Sequence, residues 1–108
     1  METERGNNML SKLEIEILEA IKEAQYNGVP FPTVKTLKNI EEPNPLERKY
    51  EAAHALSNLK EKRLVDFRGE VITTGGKTHP VYGNRVAMIW WDYVEINSYG
   101  IEYLNKHI

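Results

Sequence analysis

NPLERKYEAAHALSNLKEKRLVDF, residues 44–67, reads as one capped helix running directly into a strand, and the rest of the chain is arranged around it. Asn44 is a favoured N-cap, Pro45 suits the first helical position where no N–H is required, and Glu47 stands three residues after the cap, completing a capping-box pattern. At about 100° per residue, Ala52, Ala55, Leu56, Leu59 and the stem of Arg63 fall on one side. Tyr50, Ala53, His54 and Ser57 fall roughly opposite. One side is available for a core and the other for a partner. Leu64-Val65-Asp66-Phe67 then carries the β-branched and aromatic character of a strand.

Upstream, Ser11 and Glu14 form a second capping box, and Leu10 with Ile15 have the spacing of a hydrophobic staple. The stripe Leu10, Leu13, Ile17, Ala20, Ile21 and Ala24 predicts a helix that Asn27-Gly28 closes. Residues 1–9 lack any apolar period and read as a mobile tail. Val29-Pro30-Phe31-Pro32 is an extended connector, because a residue before proline is pushed out of the helical region. Val34, Leu37 and Ile40 recur at spacing three, which predicts a short helix over Thr33–Ile40 with Lys35 and Lys38 on its polar side. Glu41-Glu42-Pro43 turns the chain into the long helix. Two helices joined by a tight turn, the second longer, outline a helix-turn-helix.

Downstream the period changes to that of strands. Val65–Thr74 and Arg85–Ile96 predict a long β-hairpin with an irregular tip from Gly75 to Asn84. Asn97 caps a final helix, Ser98–His107, with Ile101, Leu104 and Ile108 at helical spacing. The fold class expected is therefore α+β, as one domain over residues 10–108.

With 41% hydrophobic and 28% charged residues the composition is that of a globular protein, so disordered and fibrous classes are excluded. The longest apolar run, Val86–Trp91, is far too short for a membrane helix, and the charged start is not followed by a signal-like block. A cytoplasmic location without membrane contact is the expectation. No cysteine is present, which removes disulfides, thiolate nucleophiles and cysteine-ligated metals together. Net charge is −2, yet residues 33–88 carry ten bases against seven acids while both ends are acidic, an asymmetry that allows a basic face on an acidic protein.

Two stretches carry a family resemblance. Ala55-Leu56-Ser57-Asn58-Leu59-Lys60-Glu61-Lys62-Arg63-Leu64-Val65 is similar to the end of the recognition helix in small bacterial and archaeal transcription regulators, where a charged pair and Leu-Val lead into the wing. Ile96-Asn97-Ser98-Tyr99-Gly100-Ile101-Glu102-Tyr103-Leu104 resembles the segment after the wing in the same regulators. The families are the MarR-like and PadR-like winged helices. Arg63 stands where they often have glycine, and Asn97 where threonine is usual. The resemblance implies a winged helix that binds double-stranded DNA as a homodimer and regulates transcription.

By position it nominates Lys49, Tyr50, Ala53, His54 and Ser57 for the major groove, and Lys35, Lys38, Arg48, Lys77 and Arg85 for phosphate. Strand alternation puts Trp91 and Tyr93 on one face, and with Tyr99 and Tyr103 they form the expected dimer interface. The alternative is a winged helix used as a protein-interaction module. An apolar patch around Leu46, Tyr50 and Ala53 without continuous positive potential would favour that second reading.

Gly76-Lys77-Thr78 is not a phosphate loop, because Val71 stands where its first glycine belongs and Pro80 forbids the following helix. His54, His79 and His107 have no ligand spacing, no catalytic motif is present, and so neither metal, cofactor nor enzymatic activity is expected. No residue pattern points to a small-molecule effector.

Overall fold

Ser11 starts the first helix as its sequence predicts. Its hydroxyl accepts the Glu14 N–H at 3.1 Å and the Glu14 carboxylate accepts the Ser11 N–H at 3.0 Å. The helix, α1, spans Lys12–Asn27, and Gly28 ends it in the left-handed conformation at φ 71°. Three more segments follow in a computed structural model that describes residues 9–107. They are α2 (Arg48–Glu61), a hairpin of β1 (Val65–Phe67), β2 (Ile72–Thr73), β3 (Met88–Ile89) and β4 (Val94–Ile96), and α3 (Ser98–His107). Residues 1–8 of the expected tail and Ile108 lie outside the described residues. The chain is an α+β domain, and no described helix is long and apolar enough to cross a membrane.

Both ladders of the hairpin are antiparallel and share one register. Phe67 pairs with Val94, and five residues further along each strand Ile72 pairs with Ile89. Between them a single 3-10 turn, Trp91–Tyr93, interrupts the pairing. That turn breaks the alternation on which the tryptophan assignment rested. Trp91 points into the core and Trp90 points out.

The core is formed where α1 crosses α2, β4 and α3. Ile17, Leu18, Ile21, Leu56 and Leu59 are fully buried there, each contributing roughly 2 kcal/mol of transfer free energy. Leu18, off the predicted stripe, is as deep as the residues on it. Gln25 extends α1 onto the sheet by donating to Ile96 O and accepting Ile96 N–H. Asn97 caps α3 through its side-chain oxygen on Gly100 N–H, 3.0 Å. Gly100 is required because a Cβ there would collide with Leu64 O and the Ile96 side chain.

Two expectations need correction. The helix predicted over Thr33–Ile40 is one turn, closed by Leu37 N–H on Thr33 O at 3.1 Å. It stops because the next donors are taken from outside: the Glu16 carboxylate on α1 accepts Lys38 N–H at 2.7 Å and Asn39 N–H at 2.9 Å. A carboxylate that accepts two backbone donors replaces the next helical bonds. The described residues therefore contain three helices, and the first, shorter helix of the expected helix-turn-helix is reduced to a turn. The long helix also starts late. Asn44 caps a turn, accepting Leu46 N–H at 2.9 Å, and the helical residues begin at Arg48.

Candidate interaction surfaces

The side of α2 expected to face a partner is largely covered by the hairpin tip. Tyr50 is 4% exposed and Ala53 1%, so neither is available to a DNA groove or to the apolar partner patch expected around Leu46, of which Leu46 alone is exposed. The cover is the loop between Thr73 and Met88. His79 packs against the Tyr50 ring at 4.9 Å and Tyr82 against His54 at 4.8 Å. Asn84 donates to Tyr50 O at 3.1 Å, and Lys49 Nζ lies 3.5 Å from Ala87 O. A segment of this composition folds back because it carries two aromatic rings, His79 and Tyr82, and buried Val86, whose burial offsets the ordering cost.

Glu47 ties the tip to the start of α2. Its carboxylate does not reach back to a cap. One oxygen meets Lys77 Nζ at 3.0 Å and the other lies 3.4 Å from His79 Nε2. The His79 Nδ1 accepts the N–H groups of Val81 and Tyr82, which leaves the proton of neutral His79 on Nε2, facing Glu47. The Glu47 hydrogen bond and charge raise the Lys77 pKa above the ordinary lysine value. Burial raises the Tyr82 phenol pKa, and the carboxylates of Glu51, Glu41 and Glu42 push it the same way.

What stays exposed on α2 beside the tip is a narrow strip of His54 and Ser57, ending at Glu61. Glu51 flanks it and accepts the N–H groups of Glu41 and Glu42. Glu41 and Glu51 line the same shallow groove as His54 and Tyr82, and Lys60 is exposed one turn further along the helix. Arg48, nominated for phosphate, is committed elsewhere: its guanidinium donates to Val34 O, Leu37 O and Glu42 O. It replaces the missing helix as the link between connector and α2. Lys35 and Lys38 are exposed on the connector; Lys77 and Arg85 are exposed on the tip, with Lys77 held by Glu47 and Arg85 Nε donating to Gly76 O. The nominated cations are thus divided among the connector, the start of α2 and the tip, with Lys77 paired to Glu47 of α2.

The four residues expected at a dimer interface are also divided. Trp91 belongs to the core. Tyr93 is exposed, stacks on Trp90 at 6.3 Å and carries Arg68 over its ring at 5.9 Å. Tyr99 is 64% exposed on α3, whereas Tyr103 is half-buried, with its hydroxyl accepting Leu10 N–H and its ring stacked on His107.

The opposite end of α2 was not nominated from sequence. There Lys62 N–H, Arg63 N–H and Leu64 N–H bond to Asn58 O, Lys60 O and Leu59 O, a Schellman closure with Arg63 in the left-handed position at φ 63°. Beyond it an open cleft of about 900 Å³ separates the end of α2 from α3. The signal was present as Lys60-Glu61-Lys62-Arg63, a cationic run ending on a non-glycine residue at a helix terminus. The largest exposed apolar side chains lie at the other end, with Leu46 at 79% and Val81 at 77%.

Searches against protein-family models, characterised proteins and solved structures return no match to this chain.

Proposed function

We propose that this chain is a protein-interaction module, a small α+β domain of winged-helix-like layout whose hairpin tip is folded back as part of the body. The observation that carries the reading is the covered side of α2. A helix that reads a duplex inserts an exposed face of several side chains into the major groove. Here Tyr50 is buried against His79, Ala53 is buried as well, and His54 of the remaining strip packs on Tyr82 beside Glu41 and Glu51. Negative potential next to a phosphate backbone opposes binding at the contact that dominates affinity for DNA. Exposed Leu46, Val81, Met88 and Trp90 supply apolar area of the kind that partner surfaces bury.

Duplex DNA binding by a homodimer is the second reading, favoured by the exposure of Lys35, Lys38, Lys77 and Arg85. Fluorescence anisotropy with a random-sequence duplex, titrated at roughly 50 and 200 mM salt, separates the two. The interaction module shows no saturation below about 100 µM at the higher salt. A micromolar Kd that weakens steeply with salt, and weakens further on replacing Lys35 and Lys38, supports the regulator instead. Sedimentation tests the homodimer separately: a monomer at high micromolar concentration removes it.

A further inference from the structure

The cleft beyond α2 combines three properties that the covered end lacks. First, its floor is apolar and partly fixed in place: Leu64 and Tyr103 line it, with the Tyr103 hydroxyl held by Leu10 N–H and its ring by His107. Met9 and Tyr99 stand exposed at its edges. Second, its rim is cationic. Lys62 lies 3.9 Å from Glu14, and Lys106 3.5 Å from Glu102. Arg63 has no carboxylate within ion-pair distance among the described residues, and it lines both this cleft and the smaller one beside Phe67 and Asn97. Third, the Schellman closure occupies Asn58 O, Leu59 O and Lys60 O with backbone N–H groups, so these helix-end carbonyls are not held by the Arg63 guanidinium.

Arg63 occupies a backbone conformation that an L residue with a Cβ adopts at a cost and glycine adopts freely. Its backbone requirement is met without the side chain: the Arg63 carbonyl accepts from Asn97 Nδ2 and its N–H donates to Lys60 O. Among the described residues the guanidinium makes no hydrogen bond, while the left-handed backbone strains the residue. Strain retained at an exposed residue on a cleft is the pattern of a binding position.

We propose that this cleft docks a partner protein's acidic segment bearing an aromatic or large aliphatic side chain. Arg63 pairs with a carboxylate of that segment in the planar, two-point manner a guanidinium allows. The apolar side chain lies between Tyr99, Tyr103 and Leu64. The site rests on the interaction-module reading, but the duplex titration tests that reading and the experiment below tests the cleft alone.

The probe is acetyl-Gly-Glu-Phe-Glu-Glu-amide titrated into the 15N-labelled full chain, with acetyl-Gly-Lys-Phe-Lys-Lys-amide as the opposite charge. The acidic peptide is expected to shift the Lys62, Arg63, Tyr99 and Tyr103 amides with saturation in the ~1 mM range, as befits a short segment of a larger partner. The basic peptide leaves them in place. Arg63→Gly weakens the acidic peptide about tenfold while its Tm rises, and Arg63→Lys keeps part of the affinity because the charge survives without the fork. Binding lost in a more stable variant cannot be attributed to misfolding. The proposal is overturned by equal response to both peptides, by an acidic response unchanged in Arg63→Gly, or by no saturable shift. Cleft amides that move with protein concentration alone would make a second copy of this chain the occupant, and would overturn it too.

Discussion

The two ends of α2 are built from similar residue types and used in opposite ways. At the N-terminal end Arg48 serves three carbonyls, Glu51 caps two amides, and Glu47 meets Lys77 and His79. At the C-terminal end Arg63 is strained, exposed and without an ion-pair partner among the described residues. Partnered charges hold a fold together, and an unpartnered charge in an unfavourable backbone conformation is available to another molecule. Charge identity alone distinguishes neither. Substitution at the two ends should therefore have opposite signs.

The largest effect is expected at the covered face. Tyr50→Ala empties the space under His79 and is expected to cost about 3 kcal/mol, read by urea unfolding, while Ser57→Ala on the exposed strip stays within about 0.5 kcal/mol. Equal costs at the two positions would mean that the tip does not cover Tyr50. Arg48→Met comes next at roughly 2 kcal/mol, since Val34 O, Leu37 O and Glu42 O lose a charged donor. Lys35→Met on the exposed turn should be close to neutral. Arg63→Gly reverses the sign, raising stability by about 1 kcal/mol as the left-handed residue is relieved. A loss of stability there would show that the guanidinium holds the fold, and would erase the contrast between the ends.

The smallest effect is alkaline. Lys77 and Tyr82 both bind their protons more tightly in the folded chain, Lys77 through Glu47 and Tyr82 through burial. Folded protein then holds more protons than unfolded above about pH 10, so their contribution is complete below that value and is lost as pH rises through the raised pKa values. A Tm series from neutral to strongly alkaline pH should fall only at the alkaline end, and less steeply in Tyr82→Phe.

How much of this was legible in the sequence depends on how local the cause was. Ser11, Glu14 and Gly28 bracket α1 as their types predict, and Asn97 caps α3, because a cap is decided within a few residues. The hairpin between Val65 and Ile96 likewise shows in the strand period, whereas its pairing is confined to two short ladders. The turn at Thr33–Leu37 was misjudged because Glu16, twenty-two residues from Lys38, supplies the competing acceptor. Trp91 and Tyr93, expected on one face, part company because the 3-10 turn between them breaks the alternation, leaving Trp91 buried and Tyr93 exposed. The covering of Tyr50 and Ala53 was the least legible feature. It depends on a fourteen-residue loop, Thr74–Ala87, whose Gly, Pro and Asn content reads as an exposed tip and whose His79 and Tyr82 find α2 only in three dimensions. Arg63, by contrast, is visible in the sequence as a departure from glycine at a helix end, while the cleft beside it arises only where α3 packs back against the end of α2.

The covered face of α2 is tested most directly by nuclear Overhauser contacts between aromatic rings in solution. The arrangement predicts cross-peaks from the His79 ring to Tyr50 and from Tyr82 to His54, pairs whose ring centres lie 4.9 and 4.8 Å apart. Their absence, with fast internal motion of the amides from Lys77 to Arg85, would contradict it and return the exposed helix to a reader of DNA.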